Sequence, residues 1–450
     1  MAKYILVLFS FTLGLLSTAQ ISTNSPYSSQ GIGDVSFYGN AYLTSLGGAS
    51  TAVFDSSQVN LFNPSSYSHV THQLPLFSLG LAHEQQRFST GGNESSGSFS
   101  GITHMSLIIP FANRFGLAFG IKPLSRTGYE INDYQIVNGD SLFQDYNGSG
   151  AIQEAIVGFS ATIIKRRKHA LTIGLNGKHY FGSIINKRTS YRNTNVGQSG
   201  GFDKRELQAK AIGGEIGLNY NWKPSIEHQV YFGATYRLEQ SLNARRSDYR
   251  VYFSSVTNTS SYDTLLSNPN VEGSIQLPER LSLGASYIFT PQPDESSRSS
   301  KSPLFMLTGE WSTENWSTFT EEFNGSTSAP GFRDLQATRI GFEYSPHHKS
   351  SSGSAYLNFF DRFRYRLGAY TVNTQYLTQG EGLVDRGITA GVGIPIVINR
   401  AVSSVNFSAR VGELGAASST AQLNEGYFGF NFGINIAPSY DKWFRKYKLD

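Results

Sequence analysis

Seven charged residues stand where chemistry could be built: Glu215, Arg237, Arg339, Glu343, Arg364, Arg366 and Arg410. Each falls in a stretch where apolar residues alternate with small or polar ones, and each takes the small or polar phase. A charge on the lipid side of a membrane strand costs roughly 2–4 kcal/mol at mid-bilayer, so this phase points all seven inward. Two readings follow. The charges form a salt-bridge network that fills an interior, or they form an anion-attracting constriction for a carboxylate ligand. The neighbouring strands expected here bring Arg339 and Glu343 near Arg364 and Arg366.

Other reactive groupings are sparse. There is no His-Glu-x-x-His and no phosphate-binding Gly loop. His69 with His72, and the pair His347-His348, are the His clusters. No Cys accompanies them, nor does a carboxylate at ligand spacing. The expectation is a protein that is not an enzyme and carries no metal and no cofactor.

The elements that would hold the charges are strands. Phe428, Phe430, Phe432, Ile434 and Ile436 alternate with Gly429, Asn431, Gly433 and Asn435. Side chains alternate across a strand, so this segment has one apolar face and one small, polar face. The pattern recurs at Ile212–Trp222, Leu281–Phe289 and Val405–Gly412. Candidate strands lie near 74–87, 101–111, 114–127, 152–164, 169–184, 208–222, 227–240, 277–290, 303–314, 334–346, 362–374, 384–398, 402–413 and 425–437. Their connections alternate between short turns and long polar links near 88–100, 128–151, 185–207, 241–276, 315–333 and 414–424, with the links near 291–302 and 347–361 longer, Ser-rich exceptions on the short side. That is the arrangement of a transmembrane antiparallel β-barrel of about 14 strands, with short periplasmic turns and longer outer loops.

Composition agrees. The 450 residues include 31 Phe, 25 Tyr and 46 Gly but no Cys, and charged residues make up 16%. A mean hydropathy of −0.27 suits a barrel, which hides its lipid face in alternation. A formal net charge of +4 is too small to argue for a nucleic-acid partner. The first residues read as a secretory signal: Lys3, an apolar run from Tyr4 to Leu16, then Ser17-Thr18-Ala19 before a cut at Gln20. Lys165-Arg166-Arg167-Lys168 sits on a short turn. The tail from Lys442 to Lys448 mixes aromatics with cations, as an interfacial anchor or a partner's docking point would.

Residues 20 to 73 show little alternation. Leu46-Gly47-Gly48-Ala49 is followed by Asp55 and by Asn63-Pro64-Ser65 with Tyr67 beyond. Small residues suit close packing inside a lumen; a floppy periplasmic extension is the alternative. This order resembles the start of the long-chain fatty acid transporter (FadL-type) family of outer membranes. In that family a fourteen-stranded barrel is plugged by an N-terminal hatch bearing an Asn-Pro-Ala motif, whose last position is Ser65 here. The resemblance implies a division into signal peptide 1–19, hatch 20–73, barrel 74–438 and basic aromatic tail 439–450. It also implies an integral outer-membrane protein with both termini periplasmic, surrounded by outer-membrane lipid, that takes up hydrophobic, fatty-acid-like small molecules passively. The rival expectation is a non-transporting accessory subunit of a protein-secretion translocon or other outer-membrane complex, bound to a protein partner at its tail or outer loops.

Overall fold

The computed structural model describes residues 23–35, 39–70, 74–137, 140–194, 197–254, 262–292, 302–347, 358–398, 401–416 and 423–437. The expected signal peptide, His72, His348 and the basic tail lie outside these residues, as do both chain ends.

The wall begins with β1 (Leu76–Thr90), β2 (Asn93–Phe111), β3 (Phe115–Val137), β4 (Asp140–Lys165), β5 (His169–Thr194) and β6 (Gly197–Trp222). It continues through β7 (His228–Arg237), β8 (Gln240–Phe253), β9 (Tyr262–Leu277) and β10 (Arg280–Phe289). β11 (Leu304–Glu314) is followed by a small hairpin, β12 (Glu321–Phe323) and β13 (Ser326–Ser328). β14 (Leu335–Ser345), β15 (Arg364–Thr378), β16 (Glu381–Ile398), β17 (Ala401–Gly415) and β18 (Asn424–Ile436) complete it. All pairings are antiparallel. β18 returns to β1 from Phe77↔Ile436 to Ser89↔Asn424, so the sheet closes on itself.

β7 and β8 are one wall strand broken at Leu238 and Glu239, and β9 and β10 are another broken at Pro278 and Glu279. The β12–β13 hairpin belongs to the long link between β11 and β14 and leans on β9. The wall is therefore the expected closed barrel of 14 strands. Its outward residues are apolar, as at Phe428 (45% exposed) and Phe430 (51%), while the inward Asn431 and Asn435 are buried.

The wall is uneven. β4, β5 and β6 have 26 residues each, whereas β11 and β14 have 11. About 9–11 residues suffice to cross a bilayer, so the tall side projects far beyond it. Among the described residues, the links expected at 128–151, 185–207 and 241–276 are mostly strand. The physical reason is that hydrogen-bonded ladders continue in water without an apolar face, so the alternation that betrays a lipid-level strand is absent there. Register shifts at Pro123/Ser125 and Thr162/Ile164 also flip the phase along single strands.

Residues 23–35 and 39–70 run inside the barrel. Ser25 stands at the long-loop end, its hydroxyl donating to Glu425 at 2.7 Å. The chain descends through an antiparallel bridge between Asp34 and Arg126 and a one-turn helix, Ala41–Thr44, capped by the Asn40 side chain. It ends in a 3-10 turn at Pro64–His69, against β4 and β5 near the short turns. At the long-loop end Trp316, Phe319 and Phe332 fold inward from the link between β11 and β14 and cap the lumen.

Candidate functional site

The motif residues form a self-contained cap. Asn63 Oδ1 accepts from the Ser65 N–H at 3.0 Å and from its hydroxyl at 2.7 Å, while Asn63 Nδ2 donates to the Thr51 carbonyl at 2.7 Å. Pro64 opens the turn, where its missing N–H costs nothing. Ser65 is fully buried, so its hydroxyl has a bonding role that an Ala there would lack. Above the motif the wall offers glycines. A Cβ added at Gly174 would overlap the Pro64 carbonyl, and one at Gly217 would overlap Asn63 and Pro64. The backbone of the inner segment lies directly on the wall.

The seven inward charges are all matched. Glu215 meets Lys178 at 2.9 Å, and Lys178 also reaches Glu154 at 3.2 Å. Arg237 pairs with Glu314 at 3.0 Å, and Glu314 also accepts from the Trp316 indole. Arg366 binds Glu343 at 2.6 Å and lies 4.4 Å over the Tyr42 ring of the inner segment. Arg364 reaches Asp55, and Arg410 reaches Glu84. Arg339 binds Glu310 at 3.0 Å; the other Glu310 oxygen accepts the Ser50 and Thr51 N–H groups, each at 2.7 Å. Of the expected juxtapositions, Glu343 meets Arg366, whereas Arg339 and Arg364 find Glu310 and Asp55.

Sequence reasoning passed over Glu84, Glu154, Lys178, Glu310 and Glu314. The signal was present: Glu310 lies between the outward Gly309 and Trp311, in phase with the buried Thr308 and Ser312. A central cavity opens between the inner segment and the wall. Eleven charged side chains line it, among them Lys122, Glu154, Arg237 and Asp385, alongside apolar Leu61, Phe62, Leu124 and Leu335.

Among the inner-segment groups with shifted protonation are Asp55 and His69. Burial would raise the Asp55 carboxyl, but the Arg364 guanidinium, the Ser57 N–H and hydroxyl and the charge of Arg366 together outweigh it and hold it below the usual range. Burial, aided by the charges of Lys223 and Lys165, lowers His69 to about 4. The His69 ring bonds the Ser65 carbonyl and the Asn219 side chain. Among the described residues no group of three or more His, Asp or Glu could hold a metal ion. Gly197-Gln198-Ser199-Gly200-Gly201 spells a nucleophile-elbow pattern, but it lies on β6 and not on a strand-to-helix turn.

The architecture has solved counterparts. The toluene transporter TbuX of Ralstonia pickettii aligns at 15% identity over 89% of this chain and 98% of its own, with a TM-score of 0.52. The toluene transporter TodX of Pseudomonas putida gives 15%, 90% and 99%, at 0.53. A FadL homologue of Pseudomonas aeruginosa gives 11%, 88% and 97%, at 0.54. At such identities the likeness establishes the fold, that of an outer-membrane β-barrel, and the FadL-type resemblance holds at that level. No curated protein matches the sequence. The family model that does match is described as BamG, and it spans residues 1–450. Matched from its first residue to its last, the chain belongs to the BamG family.

Proposed function

We propose that this chain is a closed, non-conducting barrel that serves as an accessory subunit of an outer-membrane protein complex, with residues 20–73 acting as a fixed hatch. The observation that carries this reading is the disposition of the lumen charges. Each of the seven inward charges is matched within the protein, and two of the bonded clusters, around Asp55 and Glu310, tie the inner segment to the wall. Breaking a buried ion pair from one side costs about 3–5 kcal/mol. Passive uptake supplies no energy to undo several such ties each time a molecule crosses. A charge-lined cavity is also a poor host for an apolar ligand, which would strip water from ions without replacing it.

A second reading, passive uptake of a hydrophobic, fatty-acid-like molecule, is favoured by the fold. The similar barrels are named as toluene transporters and a monoaromatic hydrocarbon channel. The apolar residues around Leu61, Phe62 and Leu124 would then be its binding surface. Purification from outer membranes in mild detergent, followed by native mass spectrometry and lipid extraction, separates the two. A ligand-free barrel in a stoichiometric protein complex supports the subunit reading. A monomer carrying an apolar small molecule overturns it in favour of uptake. The mass of the mature chain also tests export with removal of residues 1–19.

A further inference from the structure

The tall side of the wall is an open sheet above the bilayer, and it has two edges. One is β3 from Tyr129 to Val137; the other is β9 from Tyr262 to Asn270. Among the described residues neither pairs with a second strand there. β2 leaves β3 above the Met105↔Ile121 row, and β12 reaches β9 only at Gly273–Ile275. An unpaired edge is a template for another chain, and proteins blunt it with Pro, bulges or a basic residue.

The two edges are treated differently. β9 is blunted: it carries Pro269, its register slips twice against β8, and Asn270 has φ +54°. β3 has no such device. Tyr129–Val137 contains no Pro, Lys or Arg, and it pairs with β4 in unbroken register from Tyr129↔Gly148 to Val137↔Asp140. Tyr134 is 67% exposed and Ile136 72%.

Lower down, the same edge already accepts a strand. Asp34 and Arg126 exchange both backbone hydrogen bonds, at 2.7 and 2.9 Å, and the Ser28 hydroxyl bonds the Gly128 N–H and carbonyl. The inner segment then turns away toward Glu425, leaving the edge above it open. The charge there has one sign: Glu130 and Asp133 on β3, with Asp145 on β4 opposite Asn132. Cations begin only on β5, with Lys187 and Arg188.

We infer that the β3 edge, Tyr129–Val137, is a docking strand for an extended, basic segment of a protein partner, which adds to the wall by β-pairing. A second copy of this chain fits poorly, because a two-fold pairing sets Glu130 and Asp133 against their own equivalents. The inference rests on the subunit reading and names where the partner binds.

The test places p-benzoylphenylalanine at Tyr134 or Ile136, and at Tyr262 or Leu265 as controls, in full-length chain in its own outer membranes. Irradiation is followed by mapping of the cross-linked peptide. The expected result is one adduct from β3 alone, to a Lys/Arg-bearing alternating segment, reduced at least tenfold by Glu130→Lys with Asp133→Lys. Heat-modifiability on gels shows that these variants fold, and the milder Tyr134→Ser provides a second check. Equal adducts from both edges, adducts to another copy of this chain, or yield unchanged by charge reversal would overturn the inference. If the complex purifies intact yet β3 gives no adduct, the edge assignment fails and the subunit reading stands. If no complex exists, both fail.

Discussion

Within the single strand β3, Phe115–Ile121 and Glu130–Ile136 live under different rules. In the lower stretch Phe119 and Ile121 face out while Gly116, Ala118 and Gly120 face in, and the inner segment rests against them. In the upper stretch every residue is exposed. Lipid outside and packed protein inside dictate both faces of the lower stretch. Water on both sides dictates neither, and only the hydrogen-bond ladder persists. Stability should therefore concentrate at bilayer level, and substitutions can break or sharpen that contrast.

The largest effect belongs to Gly368→Leu, whose side chain would overlap the backbone of Leu46 and Gly47. The inner segment should fail to seat, so that Tyr27, Tyr42, Phe54 and Tyr67 become sensitive to chymotrypsin in the folded barrel. Gly309→Leu is its control, since a Cβ there meets nothing; protection should be unchanged. Next comes Glu310→Gln, which strips Arg339 of its counter-charge and weakens two backbone bonds. Urea unfolding in lipid should register about 3–5 kcal/mol lost.

A smaller loss comes from acid. His69 takes a proton near 6.5 when unfolded but only at about 4 in place. As pH falls below 6.5 the unfolded segment gains protons that the seated one cannot, so stability declines through that window. His69→Asn should flatten the profile; an unchanged slope would assign the acid sensitivity elsewhere. Asn63→Ala removes a cap and should cost about 1–2 kcal/mol in the same unfolding measurement. The smallest effect lies on the wall above the bilayer. Asp203→Ser breaks an exposed pair with Arg250 and should shift nothing measurable, because water already screens both groups. A large loss there would erase the contrast between the two regions.

The same contrast explains what could be read in the sequence. Fourteen strands were legible because each must present an apolar row to lipid, as Phe428, Phe430 and Phe432 do. The upward extensions were not, since Asp140–Gly150, Lys187–Thr194 and Gly197–Lys204 pair without alternating. The seven inward charges were legible by phase, but most of their partners were not. Arg364 finds Asp55, more than three hundred residues earlier, and only the threaded path of the inner segment brings them together. Glu310 was readable from its neighbours on β11, yet its bonds to Ser50 and Thr51 depend on where a segment without periodicity comes to rest.

That path also fixes an order of events. Ser25 stands at the long-loop end, β1 starts at the opposite end, and the ring is completed where β1 meets β18. Threading the leading segment up a finished ring would require the Trp316–Phe319–Phe332 lid to open first. Enclosing it while the last two strands come together requires nothing of the kind. The expected order is therefore that residues 23–35 and 39–70 are in position before the final strand closes the wall around them.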